Sequence, residues 1–431
     1  MLGIRRRADP QYVNEPRDGF VNRTRPWPLR ILKILALALL ALIVLLPLCL
    51  WLDHLRETTL PPPSGAFAVS RTIQVWESAT ERDAFAPGAE VPRRLIAWIW
   101  YPAVRDATSS GRLDYLPGDW RSATERQRGV FVNSLLTRDL SRVQSHSLER
   151  AALVAQPQRL PVVILRAGLS AQTSQYSSLA EDLASHGFIV VGFDAPYRTI
   201  VVVLQNGEVV LRSPANNVES VSGKQQDELL QRLQDGWSSD ISFALDRLRQ
   251  LNEAGSGDGF SGRLDLDRVG LVGHSLGGAT AAQFCHDDAR CKVGVDIDGA
   301  LRGVVIRDGI DPPFLFLAAD HRGEQGPVLD EIQGDIRAAR ETKPAGKMVI
   351  ELRGANHFGF SDDGAILKIP GLRGALNVLG GPGMPGPRQL ELTKRVVRSF
   401  LELHLIGAPR SSFNPVLAEP EVSEPTWARR G

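Results

Sequence analysis

The chain predicts an α/β fold: a mostly parallel central sheet with helices on both faces, preceded by one transmembrane helix. Three observations carry this. Short apolar runs alternate with helical stretches from residue 161 onward, the order that builds a parallel sheet. A glycine-flanked serine, Gly273-His274-Ser275-Leu276-Gly277-Gly278, joins one such run to a helical stretch. A run of 19 uncharged residues, Ile34 to Leu52, precedes the alternating region and is about long enough to cross a hydrocarbon core.

Composition sets the bounds. The 431 residues are 43% hydrophobic and 23% charged, ordinary globular values with room for one large α/β domain plus appendages. A net charge of +1 gives no electrostatic footprint for nucleic acid. There is no Walker-type phosphate loop, no dinucleotide fingerprint and no Cys/His cluster with zinc-like spacing. No metal or organic cofactor is expected.

The elements follow in order. Residues 1–33 form a basic N-terminus, with Arg5, Arg6, Arg7, Arg17, Arg23, Arg25, Arg30 and Lys33 set against Asp9, Glu15 and Asp18. No basic excess follows the apolar run at 34–52, so the positive-inside rule puts the N-terminus in the cytoplasm and the rest outside. Trp27 and Trp51 flank the run as interfacial aromatics do. A cleaved signal peptide is the rival reading; its n-region of about thirty residues is long, and the small-x-small site at Ala66-Phe67-Ala68 lies far past the apolar run. Residues 53–66, with Pro61-Pro62-Pro63, read as a stiff spacer.

The main domain is expected over 67–407. Residues 67–77 and 93–102 read as an antiparallel edge. Residues 103–158 read as a polar, partly helical insertion, placed where it could cover the active site. Buried strands follow at 161–165 and 188–193, with a helix at 177–186 between them. A hairpin turns on Asn206-Gly207. Residues 225–252 carry Leu229, Leu230, Leu233, Trp237, Ile241, Leu245 and Leu248 at helical spacing. Further strands are read at 268–272, 292–297, 314–318 and 347–352, and a closing helix at 389–405. The Pro-, Glu- and Ser-rich tail, 408–431, reads as disordered. Cys285 and Cys291 are close enough in sequence for a disulfide or for two buried thiols, and an outside location favours the bond.

The serine turn carries the chemistry. Strand, tight turn with serine at its apex, then helix is the nucleophile elbow of the α/β-hydrolase fold. Gly273 and Gly277 relieve crowding two residues either side of Ser275. A serine hydroxyl needs a base, and the base needs an orienting carboxylate, in the chain order Ser, acid, His. Of the histidines after Ser275, His286 lies at a helix end and His404 in the closing helix. His357 sits in the loop Arg353-Gly-Ala-Asn-His357 after the last clear strand, where the base is expected; His321 is the runner-up. For the acid, Asp298 ends the strand at 293–298 and Asp320 ends the strand at 314–320, and residue chemistry leaves both open. The oxyanion donors are the backbone N–H of Leu276 and one from the loop 166–171, at Leu169 or Gly168.

These residues resemble the plasma type of platelet-activating-factor acetylhydrolase and its bacterial relatives. The likeness covers roughly 67–405. It rests on Pro161-Val-Val-Ile-Leu-Arg-Ala-Gly-Leu169, Tyr176-Ser-Ser-Leu-Ala-Glu-Asp-Leu-Ala-Ser-His-Gly-Phe-Ile-Val190, Trp100-Tyr-Pro-Ala103, Gly273-His-Ser-Leu-Gly-Gly-Ala279 and Arg353-Gly-Ala-Asn-His357. The resemblance implies Asp298 as the acid, with Asp320 the alternative, and Leu169 as the first oxyanion donor. The family has His-Gly before that leucine, where this chain has Ala167-Gly168, so the loop's anchoring is expected to differ.

What the resemblance implies is a serine carboxylic ester hydrolase acting on short-acyl, phospholipid-like esters. The expected acyl preference is roughly two to six carbons, since a pocket discriminates by about 1–3 kcal/mol per methylene. The other readings are a different chemistry on the same fold, dienelactone hydrolysis or peptide cleavage, and an inactive envelope binding module.

Overall fold

The structure is a computed structural model that describes residues 27–105, 111–253, 259–322, 324–368 and 383–429. The basic residues from Arg5 to Arg25 lie outside the described residues. The chain divides into two units, residues 1–49 and 50–431.

Helix α1, Trp27–His54, is apolar and long enough to cross a membrane. Its leucines and isoleucines are exposed on every side from Ile31 to Leu52, so no single face is reserved for a protein core. Pro47 lies inside it.

The second unit is built on one sheet. Its first strands are β1 (Thr58–Thr59), β2 (Ala68–Arg82), β3 (Pro92–Ala103), β4 (Arg112–Asp114) and β5 (Val143–Leu148), with helix α2 (Gly118–Phe131) between the last two in the chain. Then come β6 (Leu160–Arg166), β7 (Ile189–Asp194), a separate hairpin of β8 (Val201–Val203) with β9 (Val209–Leu211), and β10 (Leu264–His274). The last are β11 (Cys291–Ile297), β12 (Phe314–Ala318), β13 (Lys347–Leu352) and β14 (Val422–Ser423). The sheet order is β1-β5-β2-β3-β7-β6-β10-β11-β12-β13-β14, with β4 attached to β5. From β7 to β13 all neighbours are parallel.

The period-two pattern of the strands sorts the core into two layers. Val163 and Leu165 of β6 pack on one side with Leu183 and Phe400. Val162 and Ile164 pack on the other with Ile241, Ala281 and Ile336. The first side is therefore covered by α3 (Ser177–Ser185) and a closing helix, Gly386–Leu405. The second is covered by α4 (Lys224–Asn252), α5 (Leu276–Asp287) and α6 (Pro327–Thr342). Both faces of the parallel strands are buried, which is why they read as continuous apolar runs.

Three expectations are corrected. The spacer is part of the domain: Leu60 is buried, Lys394 Nζ donates to the carbonyls of Pro61 and Pro62 at 3.2 and 2.9 Å, and Ser64 donates to Asp182. No described residue of the segment 103–158 lines the cavity that holds Ser275. The segment supplies β5 to the sheet, paired with β1 and β2 on one flank and with β4 on the other, and buries Trp120 of α2 in the core.

The third correction is the tail, which is folded from 408 to 429. Phe413, Val416 and Val422 are buried, and β14 pairs antiparallel with β13. Glu419 and Glu421 bind Arg388, and Glu419 also binds Arg395. The glutamates that made the segment look solvated are the partners that hold it down. Cys285 and Cys291 form a disulfide, with Cα atoms 5.1 Å apart.

Candidate active site

The parallel strands bring their C-terminal ends together, where open α/β sheets collect functional groups. Ser275 follows β10 and starts α5 with φ 57° and ψ −126°. An L-residue in this region is strained and needs its surroundings to hold it there. The Ser275 N–H donates to Ile297 O at 2.8 Å, and its carbonyl accepts from Gly278 N at 2.9 Å. A Cβ on Gly273 would run into the Gly277 carbonyl, and one on Gly277 into the Ala167 carbonyl. The close approach of three backbones is what demands the glycines.

Asp298 follows β11, also at positive φ (54°). Its Oδ2 accepts from His357 Nδ1 at 2.7 Å. Its Oδ1 accepts from the Ala319 N–H at 2.8 Å and from His321 Nε2 at 3.0 Å. Burial pushes the Asp298 carboxyl up, but the bonds from His321 and His357 outweigh it, and the group lies well below the usual carboxylate range. The structure thus brings Asp298, not Asp320, to His357. Asp320 accepts from the Gly354 N–H at 2.6 Å and from Arg322 Nε at 2.8 Å, bracing the start of the loop that carries His357.

Ser275, Asp298, His321 and His357 line one cavity of about 550 Å³. Its apolar wall is Phe316, Val328, Leu329, Ile332, Ile336 and Trp427. Four of these lie on α6, and Trp427 comes from the folded tail. No described residue of 103–158 lines it. Asp296, two residues before Asp298, is buried at the cavity's base. Burial and the neighbouring Asp298 charge push its carboxyl well up.

The loop after β6 lies against the elbow. A Cβ on Gly168 would sit 3.2 Å from Ser275 Cβ and 3.1 Å from His274 Nδ1. The side chains of Leu169 and Leu276 share a small apolar cluster with Phe85 and Trp237. Among the described residues, the backbone N–H groups of Leu169 and Leu276 have no acceptor within the protein.

Two residues not singled out from sequence anchor this arrangement. The Gly168 N–H donates to the Tyr176 hydroxyl at 3.2 Å, and that hydroxyl bonds His274 Nδ1 at 2.7 Å. On its other side, His274 Nε2 bonds the His357 carbonyl at 3.0 Å. Burial, and then the charge of His357, push His274 down to about 3, so it is neutral. Only one tautomer fits: Nε2–H donates to the carbonyl and Nδ1 accepts from Tyr176 O–H. This chain of bonds ties the 166–171 loop to the loop of His357. The visible signals were His274 beside the serine and Tyr176 in the quoted helix motif, but nothing in their spacing links them.

Known proteins resemble this chain. The family described as platelet-activating factor acetylhydrolase, isoform II, matches residues 93–367. A probable 1-alkyl-2-acetylglycerophosphocholine esterase of Arthroderma benhamiae is 24% identical over 386 residues, covering 84% of this chain and 92% of that protein. The platelet-activating factor acetylhydrolase of Cavia porcellus is 25% identical over 226 residues, and that of Bos taurus 25% over 224. Those two matches cover 48% of this chain and about half, 49%, of each mammalian protein. Among solved structures, a ferulic acid esterase from Streptomyces cinnamoneus superposes with a TM-score of 0.66 at 24% identity, covering 85% of this chain and 99% of that one. At that identity the likeness establishes the shared fold.

Proposed function

Because the chain belongs to the platelet-activating factor acetylhydrolase isoform II family, we propose that it is a serine carboxylic ester hydrolase acting on short-acyl, phospholipid-like esters. The observation that carries this is the 2.7 Å bond from His357 Nδ1 to Asp298, in the same cavity as a serine held at positive φ.

In this reading Ser275 Oγ attacks the ester carbonyl carbon while His357 Nε2 takes the hydroxyl proton. Asp298 holds the Nδ1–H tautomer and stabilises the imidazolium that forms. The carbonyl oxygen becomes an oxyanion facing the free N–H groups of Leu169 and Leu276. A preorganised donor of this kind typically contributes about 10²–10³ in rate. The C–O bond to the alcohol then breaks, and His357 returns the proton to the leaving oxygen. Water, deprotonated by His357, attacks the acyl-serine and releases the acid. The apolar wall of α6 and Trp427 receives an apolar arm of the substrate.

The same reading places the enzyme on a membrane. Helix α1 serves as a single-pass anchor, the basic N-terminus stays in the cytoplasm, and the catalytic domain lies outside. The Cys285–Cys291 bond supports this side, since disulfides persist in oxidising compartments.

The test is a fluorophosphonate label followed by a p-nitrophenyl ester series and a peptide amide panel. The expected result is label on Ser275 and turnover of short esters. Label on another serine, or turnover confined to amides, overturns the reading.

A further inference from the structure

Asp298 carries two imidazoles, and the serine mechanism uses one. His357 takes Oδ2, while His321 Nε2 lies 3.0 Å from Oδ1. On its far side, His321 Nδ1 lies 3.0 Å from Glu324 Oε2. A carboxylate only accepts, so an imidazole between two of them must donate from both nitrogens and is an imidazolium. We propose that His321 is a positioning residue that holds a fixed positive charge on the outer oxygen of Asp298 and thereby sets the basicity of His357. The proposal rests on the reading of Ser275, Asp298 and His357 given above.

The physical effect is a division of one negative charge between two partners. His357 must be neutral to accept the serine proton, and Asp298 alone would stabilise its protonated form. A permanent cation on the other oxygen opposes that stabilisation and keeps His357 neutral to lower pH. The bond to Asp298 holds His321 up at about 9 against its burial, with Glu324 adding to the effect. The cavity that His321 shares with Glu324 also exposes Asp330, Glu351 and Glu424 against Arg353 and Arg429, with Arg322 paired to Asp320. Glu424 is itself paired with Arg340, so these neighbours nearly balance, and Glu324 is the carboxylate that joins Asp298 in favouring the imidazolium. From the catalytic side it faces Asp296, whose carboxyl burial pushes well up, and His357. His321 is 28% exposed at its side chain, shielded enough for its charge to be felt across Asp298.

The test is the pH profile of kcat/KM on p-nitrophenyl acetate, for the full chain in detergent and the variants His321→Gln and Glu324→Gln. In the first variant the glutamine amide keeps an N–H for Asp298 but loses the charge. The acid limb, which reports His357 in the free enzyme, is expected to rise by about one pH unit in His321→Gln. In Glu324→Gln, a negative charge is lost beyond the cation, and the limb is expected to fall by about half a unit. A merely structural role for His321 would lower rates without moving the limb. An acid limb that stays put or falls in His321→Gln overturns the proposal. Should that variant not fold, Glu324→Gln decides alone, since its side chain is 54% exposed, and an unmoved or raised limb there is equally fatal. Wild-type Ser275 is labelled with fluorophosphonate in parallel. Failure to label removes both this proposal and the reading beneath it, whereas label with an unmoved limb removes this proposal alone.

Discussion

Replacing Tyr176 with phenylalanine removes one oxygen and leaves two buried groups without partners. The ring is fully buried, and its hydroxyl receives the Gly168 N–H and donates to His274 Nδ1. Each group orphaned in such a buried place costs about 1–3 kcal/mol. Together the loss is about 2–6 kcal/mol of folding stability. Spread over the unfolding entropy of a domain this size, that lowers the melting temperature by about 3–7 °C. The catalytic effect is separate. Gly168 precedes Leu169, whose N–H is proposed to meet the oxyanion, and losing such a donor outright costs about 10²–10³ in kcat. A donor that is loosened but not removed should cost about ten- to hundredfold, with KM nearly unchanged, because the contact strengthens only in the transition state. Circular-dichroism melts and steady-state kinetics on a p-nitrophenyl ester measure the two effects. A lower melting temperature with normal kcat would mean that the bond stabilises the fold without setting the loop. Neither change would mean that the chain of bonds is not made.

Further outcomes are expected. Ser275→Ala should fold normally and lose activity by about a thousandfold or more, read by ester turnover and loss of fluorophosphonate label. Asp298→Asn should lower turnover far more than Asp320→Asn, because the amide favours the wrong tautomer of His357 while the Asp320 carboxylate binds Arg322 and the Gly354 N–H. His321, raised to about 9, stabilises the fold fully below its unfolded value near 6.5. That contribution disappears as pH rises through about 9, so denaturant melts should weaken over this window and His321→Gln should flatten the trend. A periplasm-dependent reporter fused after residue 431 should be active; activity of a cytoplasmic reporter instead would reverse the topology. An ester panel should peak at roughly two to six acyl carbons, and fastest turnover on long-chain triglycerides would contradict this.

Most of the parallel core was legible because burial on both faces writes each strand as an unbroken apolar run, as at Pro161–Leu165 and Ile189–Phe193. The elbow was legible because its glycines answer to local sterics. Asp298 and Asp320 could not be separated by residue chemistry alone. Each ends a strand, and only the path of Arg353–His357 decides which one the imidazole meets. The chain from Gly168 through Tyr176 to His274 was hidden because 98 residues separate Tyr176 from His274 and no periodicity marks a single hydroxyl. Composition misled in the tail, where Glu419 and Glu421 read as solvated but are bound by Arg388. The insertion misled differently: β5 alternates serine with other residues, and Ser145 and Ser147 are buried by bonding Leu113 O and Glu181. Trp427 could not be assigned to the cavity from sequence, because the turn holding it depends on α6, whose Arg340 binds the Ala428 carbonyl.

The outermost strands, Arg112–Asp114 and Val422–Ser423, are only three and two residues long. A sheet of twelve strands would otherwise offer two long ladders of unpaired N–H and C=O groups, a template for a strand from another molecule. Here Arg112–Asp114 lies on the outer flank of β5, opposite β1 and β2, and Val422–Ser423 pairs with Glu351 and Leu352 of β13, so each outer strand offers only a short template. The segments read from sequence as insertion and tail thus supply the short strands in which the sheet ends.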